Sequence, residues 1–418
     1  MKMLRSISLL VSGSILAQFI ALLTSPLLTR LYSPEEIGVY TFVLSYISMF
    51  IPVINGRYDI SIVMEKDEQN VFSLIKGSLF VGAFLSAVFT IAYGVYYIFS
   101  PTVGAYPYYT IIYVFFLLLG SSIVNVLTSY NNRLKEYKLL SSVSIIRSLF
   151  QNGGSVLFGV CKTGLTGLLL SYTVGQFMGL KKQSSSLKKS FNVVKKVSLL
   201  EVNKVLKRHY KQPLFSAPAL FFNSFSYSSI TFFIGSLYGM QTVGYYSITT
   251  RVLGLPLLII SGNIAKIFVK EASEEYNSSG KYSSTLTKLT LLLLLMAVPM
   301  VVFMYYFAPT ITTFVFGANW SEAGEYIRIL ALMFGLRFIV TSLSGGLVIA
   351  NKQFQEMILQ FLFILTSTVV FIVAKFQNYS TVEFLTLINV GFSICFLIYY
   401  VFIFLNSISK PERKIKND

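Results

Sequence analysis

Charge is what this chain has least of. Only 12% of its 418 residues are Asp, Glu, Lys or Arg, while 54% are hydrophobic. A soluble domain carries about 25% charged residues, so this much apolar surface does not fit inside one soluble core. Mean hydropathy is +0.68. Cysteine is nearly absent as well. Cys161 and Cys395 lie in or beside apolar runs, and no CxxC or Cys/His spacing occurs, which argues against a disulfide framework or a zinc site. The one histidine, His209, sits in a lysine-rich stretch and reads as a solvated loop residue. No Gly-rich phosphate loop, metal-ligand cluster, His-based dyad or paired carboxylate is evident. The chain is therefore read as a non-enzyme with no cofactor and no metal. A membrane glycan enzyme would need external acids, and the longest external connection, 307–324, offers Glu322.

What is present instead is long apolar runs. Lipid offers no hydrogen-bond partner to a bare backbone, so such runs predict an all-α polytopic membrane protein. Twelve spans are expected, near residues 7–28, 37–55, 74–99, 108–128, 141–160, 164–180, 212–237, 243–262, 286–306, 325–349, 355–375 and 382–405. The apolar N-terminal run is long enough to span and no A-x-A-like site follows, so it reads as the first span and not a signal peptide. Taking the odd-to-even connections as external leaves three basic residues there, Arg30, Lys162 and Lys375, against 27 in the termini and internal loops. That asymmetry places both termini in the cytoplasm. The net charge of +17 then needs no nucleic acid. Its largest share is the connection 181–211, with ten Lys/Arg and one acid, Glu201. This segment reads as an anchor at the anionic leaflet, or else as a partner site. It divides the chain into a six-helix bundle at 1–180, a basic cytoplasmic linker at 181–211 and a second bundle at 212–418.

The two halves echo each other. "LYSPEEIGVY" (31–40) returns as "LYGMQTVGYY" (237–246) at an offset of 206. In that register Ile37-Gly38 matches Val243-Gly244, Tyr40 matches Tyr246, Gly56 matches Gly262 and Glu65 matches Glu271. Each half holds an even number of spans, so the repeats are parallel. Repeats of this kind place a substrate site between bundles near the midplane.

Carboxylates are missing where they would cost most. All 17 acids fall outside the spans or at their ends, whereas Arg147, Arg251, Arg328 and Arg337 lie within spans. Arg337 is about 18 Å deep, Arg251 about 12 Å and Arg147 about 9 Å at 1.5 Å per residue. An arginine at bilayer centre costs at least about 2.5 kcal/mol and normally faces a bundle interior or a wet cavity. Polar neighbours share its face in each case. Ser144, Arg147, Gln151 and Ser155 form one stripe. Ser247, Arg251 and Gly254 form another, Arg337, Thr341 and Ser344 a third, and Ser14, Gln18 and Ser25 a fourth. The plainer reading is snorkelling or a bond to a neighbouring carbonyl. It is favoured for the shallow Arg328, stands level for Arg147, and yields to function for Arg251 and Arg337. Buried cations without buried anions predict a cavity for an anionic guest, and guanidinium suits phosphate oxygens. The same pattern argues against export of organic cations, though a small-molecule exporter on this fold is the alternative. At the internal end of the second span, "NGRYDISIVMEKDE" (55–68) offers Arg57 and Asp59 as a cytoplasmic gate or as a local ion pair of little worth.

The opening "GSILAQFIALLTSPLLTRLYSPEEIGVYTFVLSY" (13–46) and the run "GRYDISIVMEKDE" (56–68) resemble polysaccharide repeat-unit flippases of the Wzx type. These belong to the multidrug/oligosaccharidyl-lipid/polysaccharide exporter superfamily. The resemblance implies two bundles opening in a V. It implies a flippase in the bacterial inner membrane, moving undecaprenyl-diphosphate-linked oligosaccharide for O-antigen or related surface polysaccharide. Membrane lipids and the polysaccharide polymerase machinery are the implied partners. It also adds Arg30 to Arg147, Arg251 and Arg337 as a candidate for the diphosphate.

Overall fold

The computed structural model describes residues 2–188 and 190–408, the side chains of residues 2–12 and 14 excepted. Every regular element among them is helical. Each of the twelve expected spans falls on helix. Among the described residues, seven helices are long and apolar enough to cross a bilayer: Glu68–Phe99, Tyr109–Arg133, Met240–Ser279, Ser283–Phe316, Ala318–Ile349, Gln353–Gln377 and Thr381–Ile408. The other five expected spans lie on shorter or more polar helix, such as Pro34–Phe50 with 17 residues and Gly164–Phe177 with 14. The chain is a multi-pass membrane protein.

Helix starts follow local chemistry. Ser33 and Glu36 form a capping box with Pro34 just inside the helix. Ser198 and Glu201 repeat the box before Leu199–Arg208. Ser380 and Glu383 exchange the same bonds before Thr381–Ile408. Asp67 caps Glu68–Phe99 by accepting from the Gln69 N–H.

The second span ends earlier than expected. Its helix stops at Phe50 rather than reaching 55. Pro52 lacks an N–H, and residues 51–57 continue as tight turns, Val53 N–H to Phe50 O at 2.9 Å and Gly56 N–H to Val53 O at 2.8 Å. Gly56 and Arg57 then both take left-handed backbone, φ 58° and 62°. A side-chain amide meets one carbonyl freed by this break, Asn125 Nδ2 donating to Ile51 O at 2.9 Å. Asn55, within the turns, fastens them to the neighbouring helices by donating from Nδ2 to Ser78 O and Ser122 Oγ.

Two compact units emerge, Met1–Gly244 and Tyr245–Asp418. In the first, the Ala217–Tyr238 helix packs on Pro34–Phe50, with the Phe42 and Phe232 rings 4.6 Å apart. One end of this unit holds a core of Ile62, Phe72, Ile75 and Leu127, which Leu187, Val194 and Val205 of the linker enter. The linker is thus folded onto the unit as short helices, among them Phe191–Lys196 and Leu199–Arg208. In the second unit, Ser283–Phe316 runs along Ser321–Leu343, which also packs on Thr381–Ile408. Tyr282 ties this unit's other end, its hydroxyl donating to Gly346 O and Ile403 O.

Candidate functional site

The second unit brings two of the expected arginines onto neighbouring helices. Arg251 lies on Met240–Pro256 and Arg337 on Ser321–Leu343. These helices are pinned together by Thr249 Oγ1 donating to Ala323 O at 3.1 Å and, through residues just outside their bounds, by the Ser261–Ser342 hydroxyl pair at 2.7 Å and the Tyr245–Trp320 edge contact. Arg337 is partly buried, its guanidinium 5.5 Å from the Phe334 ring centre. Tyr246, the repeat partner of Tyr40, is buried on the Arg251 helix. Thr341 is exposed one turn beyond Arg337 and donates to the Arg337 carbonyl, so its hydroxyl is used locally.

The Arg147 stripe has a different setting. Arg147 Nη2 donates to Gln183 Oε1 at 2.5 Å and Nε to Met178 O at 3.3 Å. Gln183 in turn donates to Thr128 Oγ1, and Ser155 meets Ser171 at 2.7 Å. A Cβ on Gly175 would lie 2.3 Å from Gln151 Cγ. Arg147, Gln151 and Ser155 therefore form a seam with the Gly164–Phe177 helix and the residues just after it. Within the stripe the helix widens over Leu149–Gly153, the turn that carries Gln151.

The remaining residues of the first unit are dispersed. Gln18 and Arg30 are exposed, and Ser25 is buried and donates to Ala21 O. Ser14's side chain lies outside the described residues. Asp59 is buried in the first turn of Tyr58–Met64, and Arg57 precedes that helix with its Nε buried and without a partner. Arg328 holds the surface role expected of it, 3.2 Å from Glu325 and donating to Tyr305 O.

His209 differs from expectation. It is no solvated loop residue: its Nε2 lies 3.1 Å from Glu65 Oε2 and tethers the linker's end to the Tyr58–Met64 segment. Partial burial opposes ionisation of Glu65. The Asp67 N–H, the His209 ring and the Lys66 N–H outweigh it and hold the carboxyl below its usual range.

The sequence profile of the family described as "Polysaccharide biosynthesis protein" matches residues 27–325. The chain belongs to that family. No curated protein matches it. Among solved structures, the fold is that of an inward-facing multidrug resistance MATE family transporter of the MOP superfamily, at TM-score 0.72 and 16% identity over 93% of each chain. The lipid II flippase MurJ, inward closed, matches at TM-score 0.71 and 14% identity, over 96% of this chain and 90% of that one. A MOP superfamily transporter from Pyrococcus furiosus, described as having a binding pocket of reverse polarity, matches at TM-score 0.64 and 15% identity over 96% and 93%. The all-helical fold expected from the resemblance is thereby borne out. This member of the polysaccharide biosynthesis family carries a transporter fold.

Proposed function

We propose that this protein is a flippase for undecaprenyl-diphosphate-linked oligosaccharide, working by alternating access in the bacterial inner membrane with both termini cytoplasmic. Family membership supports the substrate class. The observation that carries the reading is the charge pattern: four arginines within spans, and no carboxylate near mid-span. A lipid diphosphate is an anion with two bulky ends. Guanidinium groups match its oxygens while the tail stays in lipid.

In this reading Arg251 and Arg337 hold the diphosphate. Their helices are already pinned side by side, so the groups approach the guest at little ordering cost. Arg30, Arg57 and Asp59 serve the approach and exit of the headgroup. Arg147 contributes by fixing its own seam. The bundles 1–180 and 212–418, joined by the 181–211 linker, are the moving parts, and the product feeds O-antigen or a related surface polysaccharide through its polymerase.

Complementation of a strain lacking its own flippase, with defined repeat units offered in turn, tests this. Restored polymer with one glycan and not with others supports the reading. Failure with every repeat unit, with drug resistance conferred instead, favours the small-molecule exporter.

A further inference from the structure

The linker exposes the wrong residues for water. Leu199–Arg208 buries Val202 and Val205 against the first unit, as an amphipathic helix should. Yet Leu200 is 83% exposed, Leu199 67% and Phe191 60%. Comparable exposure is found on apolar residues of the spans, such as Phe314 at 83% and Phe376 at 81%.

Its depth explains why. Glu68–Phe99 has 32 residues. Counting back from Phe99, a hydrocarbon layer of about 30 Å takes roughly 20 residues, which ends near the exposed Phe80. The linker is clamped just beyond that point. Lys76 Nζ donates to Lys195 O at 3.0 Å and to Val197 O at 2.6 Å. At Gly77 the approach is close, since a Cβ there would lie 2.9 Å from Leu206 and 3.1 Å from Val202. The Leu199–Arg208 helix therefore lies at headgroup level, where a helix with both apolar and basic faces binds in the membrane plane.

Charge completes the case. A cavity of about 520 Å³ between the linker and the first turns of Glu68–Phe99 is lined by Lys196, Lys204 and Arg208. Its two carboxylates are engaged: Asp67 by the Gln69 N–H, and Glu201 by the Ser198 N–H and hydroxyl.

We infer that the linker is an interfacial lipid-binding element. Phe191, Leu199 and Leu200 enter the acyl boundary of the leaflet, and Lys196, Lys204 and Arg208 receive the phosphate of an anionic phospholipid. This surface is separate from the arginines assigned to transport.

The test places a reporter on the exposed face. Leu200→Trp is reconstituted into vesicles of phosphatidylcholine alone or mixed with phosphatidylglycerol, and the buried native Trp320 is subtracted as background. Phosphatidylcholine brominated near the headgroup is the quencher. Quenching of at least about twofold is expected in anionic vesicles, with loss as salt rises. The triple variant Lys196→Gln, Lys204→Gln, Arg208→Gln should reduce it toward the zwitterionic level. A water-like, unquenched signal in both vesicle types would overturn the inference and leave the leucines to a protein partner or a second copy. Equal quenching in both types, unchanged by the triple variant, would overturn the anionic-lipid assignment. Leu200 is too exposed for its replacement to unfold the unit, and an unchanged melting temperature verifies this.

Discussion

Gly38 and Gly244 close a reciprocal contact. A Cβ on Gly38 would lie 1.7 Å from Met240 O, and one on Gly244 would lie 1.9 Å from Pro34 O. Pro34 and Met240 are themselves equivalent positions of the repeated connector. Each glycine thus accepts the helix start of the other copy, so the doubled sequence packs on itself. Neither helix has free space beside the contact, since each buries an apolar residue next to it, Phe42 on one and Val243 on the other.

Gly38→Ala and Gly244→Ala should each destabilise the protein by about 1–3 kcal/mol, the usual cost of overpacking a filled contact. Melting of purified protein checks this. Similar losses at both sites follow from the reciprocal geometry, and an unchanged Tm in both would refute it.

Arg251→Ala and Arg337→Ala should abolish or strongly reduce substrate translocation while the protein accumulates normally in the membrane. Arg→Lys separates charge from geometry, since lysine keeps the charge and loses the planar fork. Translocation is read in vesicles, with abundance measured in the same preparation. Full activity in both alanine variants would remove these residues from the site.

Arg147→Ala should act on stability instead. It strands the Oε1 of the buried Gln183 and the carbonyl of the half-buried Met178, at about 1–3 kcal/mol. A lower Tm with translocation per folded molecule retained is the expected pairing. Arg328→Ala is the contrast. Its exposed pair with Glu325 is worth at most about 1 kcal/mol, so both quantities should stay near those of the parent.

The linker's tether carries a pH dependence. Glu65 has its folded pKa below the usual 4.5, so its contribution is full above that value and is lost as pH falls through the lowered folded value. Amide exchange over residues 199–208 should therefore speed up in acid below about pH 4.5. Glu65→Gln should expose these amides even at neutral pH and flatten the acid response. Equal protection in the variant and the parent would show that His209–Glu65 does not hold the linker.

Much of the fold was legible because it is local. Ser33 and Glu36, Ser198 and Glu201, and Ser380 and Glu383 announce helix starts at a fixed spacing. The matched Gly38 and Gly244 announced the repeat, although not that the two copies touch. What stayed hidden depends on neighbours. Periodicity put Arg147, Gln151 and Ser155 on one face. It could not say that the Gly164–Phe177 helix and Gln183 would fill that face. The break after Phe50 follows from Pro52, but the bond that meets its Ile51 carbonyl comes from Asn125, 74 residues away in sequence. His209 reads as solvated by composition because Glu65, its partner, is 144 residues away.

The central claim is the passage of a lipid diphosphate across the bilayer. Purified protein in vesicles, loaded in one leaflet with undecaprenyl-diphosphate-linked oligosaccharide, tests it through the access of an external glycosidase to the sugar. The account predicts time-dependent transfer that needs Arg251 and Arg337. No transfer by the folded parent protein, with export of an organic cation from the same vesicles, would contradict it.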